Sequence, residues 1–204
     1  MSAEGLSIVL EREEDRAARD AFVLAHARGS PFHLTGWERV VRAIFGHARL
    51  DFLAWRGSEL VGVLPLMRCR GLLGGASLIS VPYAVYGGAL GVDREVEHAL
   101  FAAAERLALR ENAGRLELRC LEDPGLDLPA SDLYATFQKA LPAQVEGVLA
   151  GMPKKARAEA RRARERHGLE LCQGDWCIED LIRMFQRNAY LSIGGCGLEQ
   201  QLES

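Results

Sequence analysis

The chain has 204 residues, 49% hydrophobic and 26% charged, with a formal net charge of −3, the make-up of a globular chain with a real core, sized for one domain or one and part of another. No apolar run approaches the ~18 residues of a membrane span, and the acidic opening MSAEGLSIVLEREEDRAARD lacks a basic region followed by an apolar one, so neither an integral membrane segment nor a secretory signal is expected and the address is read as cytoplasmic. Five cysteines (69, 120, 172, 177 and 196) are odd in number and hold no CxxC, which excludes a disulfide framework. His167, Cys172 and Cys177 fit no common zinc spacing, so reduced thiols and no metal are expected.

In chain order, LSIVLERE (6–13) predicts a strand. REEDRAARDAFVLAHARG predicts a helix with Ala18, Ala21, Phe22 and Ala25 on one side and Gly29 as its stop. HLTGWERVVRAIFGH predicts a second helix, with Thr35 and Glu38 at capping-box spacing, Trp37, Val40, Val41 and Ile44 as its apolar stripe, and Gly46 as its end. ARLDFLAW and ELVGVLPLMRCR read as strands joined by the tight turn RGS. Pro65 cannot donate to a ladder and marks an edge, a bulge or a parting of strands. After the glycine loop GLLGG, ASLISVPYAVYGGAL reads as strand, break, strand. DREVEHALFAAAERLALREN is the clearest helix, capped by Asp93. GRLELRCLE alternates, with Leu116, Leu118 and Cys120 on one face. LYATFQKAL predicts a last strand. The expected fold class is α/β, a mixed sheet flanked by helices over residues 1–141.

After Pro142 come a short helix (143–151), a basic helical connector (142–168 overall), a strand candidate GLELCQ and a helix, DWCIEDLIRMFQRNAY, with Ile178, Leu181, Ile182 and Phe185 inward. This repeats the opening of the first domain. Residues 169–204 are too few to close a second core, so they read as the start of a second similar domain with an atypical tail, a truncated form. Its open apolar face makes a homodimer an expectation.

Charge is unevenly spread. From Lys154 to Arg166 there are seven Lys or Arg and two Glu, so this segment carries +5 and the remainder −8, summing to −3. Arg157, Arg161 and Arg164 share one helical face, continued by Lys154, while Ala156, Ala160 and Ala163 form a small-residue stripe. Guanidinium forks match phosphate oxygens. The partners this admits are a phosphorylated small molecule or envelope precursor, the phosphates of CoA, or a tRNA backbone. The alternative is a solvated helix. No helix-turn-helix accompanies it, and the acidic total speaks against sequence-specific DNA binding.

FHLTGWERVVRAIFGH, ELVGVLPL, LISVPYAVYGGAL, LELR, DLYATFQKALP and PKKARAEARRARERHGLEL together resemble the FemAB-like proteins of the PEP-CTERM/exosortase-associated branch, within the FemABX and BioF2-like group. The resemblance spans residues 30–190. It implies two GNAT-type domains in tandem and transfer of an acyl or aminoacyl group to an amine in envelope or exopolysaccharide assembly, with no bound cofactor and acyl-CoA or aminoacyl-tRNA as the donor substrate. The other reading is a non-catalytic domain binding an anionic phosphorylated precursor or nucleic acid.

Within VPYAVYGGAL, Gly87 and Gly88 allow unusual backbone angles or close approaches, and Tyr83 and Tyr86 precede them, so these four are candidate substrate-binding residues. A strand bend with aromatic packing is the other reading. The nearest text to a CoA pyrophosphate loop, RCRGLLGGA, puts Leu73 where a glycine belongs, which counts against acetyl-CoA. Direct attack of an amine on a donor carbonyl needs no enzyme nucleophile. Tyr134 and Glu117 are the candidate acid or base, or else structural. Trp37 resembles a family position at the substrate entrance, or packs in the core. Lys154, Arg157, Arg161 and Arg164 complete the substrate-binding set. His33, His47 and His98 read as caps, loop contacts or solvated side chains.

Overall fold

The computed structural model describes residues 5–70, 75–131, 135–171, 174 and 177–192. The chain forms two compact units, Met1–Ala130 and Ser131–Ser204.

In the first unit the order is β1 (Leu6–Leu10), α1 (Arg16–Ala25), α2 (Thr35–Phe45), β2 (Ala48–Arg49), β3 (Phe52–Arg56), β4 (Glu59–Leu64), β5 (Met67–Arg70), β6 (Ala76–Ile79), β7 (Leu90–Gly91), α3 (Arg94–Arg110) and β8 (Arg115–Glu117). The class is α/β, as expected. The strands divide into two four-stranded sheets, β1-β3-β4-β7 and β2-β5-β6-β8. All pairings are antiparallel except β6 with β8. The chain crosses between sheets at Leu50–Asp51, at Pro65–Leu66 and across Ser80–Ala89. Pro65 stands at the second crossing, where no ladder bond is asked of it.

α3 packs Val96, Leu100, Ala104 and Leu107 on Phe52, Ala54, Val61 and Leu64 of the first sheet. A smaller cluster of Val23, Leu53, Val63 and Leu90 joins α1 to the same sheet. Asp93 caps α3 by accepting from the Val96 amide at 2.9 Å, and Gly46 ends α2 with a left-handed φ of 66°.

The split is held by buried charge. The Arg19 guanidinium, 1% exposed, donates to Asp51 at 2.6 Å, to Glu11 at 2.9 Å and, through Nε, to the His33 carbonyl at 2.9 Å. The other oxygen of Asp51 accepts from the Leu66 amide at 2.7 Å, and Arg49 reaches Glu11 at 2.5 Å. Asp51 thus ties the first crossing to the second. Burying these ions is costly unless each is paired; each has an opposite charge beside it, while Glu11 Oε1 and Arg19 Nη2 are buried without a hydrogen-bond partner.

These ions correct the helix faces expected from apolar periodicity. In α1, Arg19 and Val23 are buried, Phe22 is half-buried, and Ala18, Ala21 and Ala25 are exposed. In α2 only Val41 of the expected stripe is buried: Trp37 is half-buried, and Val40 and Ile44 are exposed. Glu38 turns inward instead, held by Arg16 at 2.7 Å and Arg42 at 3.1 Å. The Thr35–Glu38 capping box is absent, because Thr35 bonds Asp20 of α1 through both its amide and its hydroxyl.

The second unit contains α4 (Val145–Ala150), α5 (Lys154–His167) and α6 (Ile178–Ser192). The strand expected over 133–141 is not formed in its described part, and Gly168–Leu171 is not a strand either. With no sheet among the described residues of this unit, Ile178, Leu181, Ile182 and Phe185 are 50–73% exposed, not inward. No helix among the described residues is long and apolar enough to cross a membrane.

Candidate functional site

A pocket of about 260 Å³ opens where the third crossing runs through β7 into α3. Its floor is shaped by that crossing. Tyr83 and Tyr86 hold left-handed φ values of 63° and 57°, rare for bulky side chains. Gly87 and Gly88 are needed for close approach: a Cβ on Gly87 would sit 2.2 Å from the Val81 side chain, and one on Gly88 2.8 Å from the Cys120 sulfur. The crossing is clamped from β8 and the residues after it. The Arg119 carbonyl accepts from Gly87 N at 2.8 Å, and its guanidinium donates to the Ala84 and Val81 carbonyls at 2.6 and 3.2 Å.

Glu117 orients that arginine, accepting from Arg119 Nε at 2.7 Å, and its second oxygen pairs with Arg115 at 2.6 Å. The position is a clamp outside the pocket wall. Tyr134 lies outside the described residues. Trp37 packs edge-on to Phe32 at 5.1 Å; Tyr83 hydrogen-bonds His47 at 3.0 Å. Of the candidates in this unit, Tyr86 and Gly88 line the pocket and Gly87 supports it.

The wall also holds His33, Glu97, Cys120 and Asp123, which sequence reasoning did not single out. His33 ends the turn before α2. Its Nε2 donates to the Gly88 carbonyl at 3.0 Å and its Nδ1 accepts from the Ser30 hydroxyl at 2.8 Å. Burial pushes its imidazolium down to about 4; the charges of Arg19, His26 and Arg28 add to this and the bond to Gly88 opposes it. The ring is neutral at pH 7 and fixes the Gly88 carbonyl. Burial, aided by Glu97, pushes the Cys120 thiol up to about 11, so it stays protonated and poorly nucleophilic.

The start of α3 is occupied by its own carboxylates. The bond from Val96, with help from Arg56, holds Asp93 below the usual carboxylate range. Glu97 accepts from the Gly91 amide at 3.3 Å and pairs with Arg28. Around the pocket four carboxylates (Asp93, Glu97, Glu122, Asp123) face Arg28 and Arg94, with Arg56 paired to Asp93 at 3.3 Å and Arg28 also 3.9 Å from Glu122, which leaves one carboxylate in excess. An anion at this helix start would meet net negative charge, whereas an ammonium group is attracted. The glycine loop read for a pyrophosphate falls at 71–74, outside the described residues, and Arg68 beside it pairs with Glu111 at 3.2 Å.

In the second unit, Lys154, Arg161 and Arg164 are exposed and Arg157 half-buried on α5. Among the described residues none of these four has a carboxylate partner; the one pair within the helix is Arg162–Glu159 at 3.0 Å. Of the small-residue stripe, Ala156 and Ala160 are exposed and Ala163 is half-buried. Among the described residues no group of three His, Cys, Asp or Glu is placed to hold a metal ion.

No family model matches the sequence, and no curated protein sequence matches it. Among solved structures, the chain is similar to a ribosomal-protein-alanine N-acetyltransferase from Brucella melitensis biovar Abortus, at 14% identity and a TM-score of 0.45, over 67% of this chain and 99% of that one. It is similar to a GNAT family acetyltransferase from Staphylococcus aureus, at 14% identity and a TM-score of 0.41, over 67% of this chain and 98% of that one. It is also similar to a transcriptional regulator from Bacillus halodurans, at 14% identity and a TM-score of 0.40, over 84% and 97% of the two chains.

Proposed function

We propose that the protein is an acyl or aminoacyl transferase of the FemAB-like kind, in which the first unit receives an amine acceptor and α5 holds a phosphorylated reactant, with a role in envelope or exopolysaccharide assembly. The observation that carries the reading is the pocket at the sheet crossing, negative in charge and walled by the Gly88 backbone. A primary amine enters such a pocket as an ammonium ion drawn by Glu122 and Asp123. It gives a proton to water, and with Cys120 held as a thiol the free amine attacks the donor carbonyl directly; the new C–N bond forms as the bond to the CoA thiol or the tRNA hydroxyl breaks, that leaving group takes up a proton, and no covalent enzyme intermediate forms. His33 acts as a positioning residue by fixing the Gly88 carbonyl.

Mass spectrometry of acceptor amines incubated with the chain tests this, using acyl-CoA and aminoacyl-tRNA as alternative donors. The expected product is an amide formed only with enzyme present. Asp123→Asn with Glu122→Gln raises the acceptor KM several-fold, because those carboxylates attract the ammonium form of the substrate. No amide with either donor overturns the reading.

A second reading, anion binding without turnover, is favoured by the unpaired cations of α5. It predicts tRNA or a UDP-linked precursor bound with an affinity that falls as salt rises. Arg157→Ala with Arg161→Ala lowers that affinity roughly tenfold or more, at about 1 kcal/mol or more per charge-assisted contact. Unchanged affinity in the double variant returns α5 to a solvated helix.

A further inference from the structure

A second concave surface lies elsewhere on the first unit, between α2 and β2. It encloses about 770 Å³ and is lined by Arg39, Arg42, His47 and Arg49, with Glu13 as its acidic member. Arg42 and Arg49 are engaged by Glu38 and Glu11. Arg39 is exposed and has no carboxylate partner among the described residues. Glu13 lies 3.9 Å from Arg49 as well, so the charge this hollow offers an anion is that of Arg39.

At one edge stand three nearly parallel rings. Phe45 stacks on Tyr83 with centroids 4.0 Å apart and planes 19° apart. His47 lies beside both at 5.8 Å, within 20° of each plane, and its Nε2 meets the Tyr83 hydroxyl at 3.0 Å. Phe45 stacks on Tyr83, and Tyr83 remains 55% exposed. Tyr83 holds a left-handed φ of 63°, rare for so bulky a side chain. The ring is thus locked by stacking and by a hydrogen bond, and exposed at the edge of the hollow.

We infer that this surface binds a nucleoside 5′-phosphate, with the base stacked on the exposed ring of Tyr83 and the phosphate held by Arg39 beside His47. A flat aromatic face accepts any base, and an exposed guanidinium binds phosphate oxygens in a bidentate way. The hollow is the size of a small-ligand site, and it offers one guanidinium free of carboxylate partners among the described residues, Arg39, not a track for a polynucleotide backbone. The ligand is therefore a single nucleotide or the nucleotide end of a linked small molecule. The inference stands apart from acyl transfer, because its readout is binding without turnover and its residues lie outside the α3 pocket.

The test is calorimetric titration of the full chain with UMP and AMP, with ribose 5-phosphate as the base-free probe, at low and high salt. Both nucleotides are expected to bind more tightly than ribose 5-phosphate by roughly 5- to 150-fold, the range one stacked base confers. Tyr83→Ala removes that gap. Arg39→Ala, at an exposed position that leaves folding intact, weakens nucleotide and ribose 5-phosphate by the same factor and keeps the gap. Equal affinity for UMP, AMP and ribose 5-phosphate overturns the stacking. Retention of the gap in Tyr83→Ala overturns the assignment to this ring. Tighter binding of a single-stranded RNA than of UMP, with several counterions released on a salt plot, overturns the single-nucleotide site.

Discussion

Asp51→Ala is expected to destabilise the first unit by about 3–5 kcal/mol, the cost of breaking a buried ion pair by deleting one partner. The variant leaves the buried Arg19 guanidinium with Glu11 as its remaining acid and the Leu66 amide without its acceptor. It also unties Leu50–Asp51 from Pro65–Leu66, so the loss falls where the two sheets separate. Against a total stability of about 5–15 kcal/mol, this approaches unfolding. Asp51→Asn keeps an oxygen for the Leu66 amide and loses the charge alone, and its cost is smaller. Urea denaturation of the three proteins measures the difference as a shift in midpoint at constant slope. A loss below about 1 kcal/mol in Asp51→Ala, within the usual scatter of surface substitutions, shows that the buried network is not what holds the split.

Acidification is expected to cost about 3 kcal/mol through His33 alone. Its imidazolium is pushed from 6.5 down to about 4, and each pH unit between those values is worth about 1.4 kcal/mol. Between pH 6.5 and pH 4 the unfolded chain binds a proton that the folded chain refuses, so stability falls as pH is lowered through that window and levels off below it. The groups facing the ring are Arg19 of α1, His26 and Arg28 after α1, Ser30 and the Gly88 carbonyl. Glu11, whose carboxyl is raised above 4.5 mainly by burial, gives an opposite slope: its stability contribution is present below 4.5 and lost as pH rises. The histidine effect is therefore read as the difference between the native chain and His33→Gln, which keeps a polar side chain of similar length. Parallel pH curves for the two proteins would show that His33 is not held neutral by its surroundings.

How far the sequence speaks depends on which force sets each element. Asp93 and Gly46 act through local backbone chemistry, a carboxylate facing free amides and a residue free to take a positive φ, so both helix ends were legible. Pro65 was legible for the same reason: a missing donor has to sit where strands part. The inward faces of α1 and α2 were not. Apolar period selects Ala18, Ala21, Val40 and Ile44, whereas the fold turns Arg19 and Glu38 inward, and their partners lie 22 to 32 residues away in the cases of Arg16–Glu38 and Arg19–Asp51. No local pattern carries that information.

The site divides in the same way. Gly87, Gly88 and Tyr86 announce themselves as a kinked strand; Tyr86 and Gly88 line the pocket and Gly87 packs behind it on Val81. His33 and Glu97 look like ordinary helix-end residues in the text and gain meaning only when the third crossing is brought against them. The described part of the strand expected over 133–141 shows the opposite failure: no strand among the described residues of its unit is there to pair with it, and pairing and burial, more than propensity, make a strand. The exposed apolar stripe of α6 belongs to this class too: its period made a helix, as read, but a period does not supply the surface that covers it.

The most direct measurement of the central claim is an amide chemical-shift titration of the full chain with a simple primary amine and, separately, with a simple alkyl phosphate. A pocket built for an amine acceptor responds to the amine at Gly88, Gly91, Cys120 and Asp123, with the response lost in Asp123→Asn combined with Glu122→Gln. If the phosphate moves those amides and the amine does not, the pocket at the start of α3 is an anion site and the account given for it is wrong.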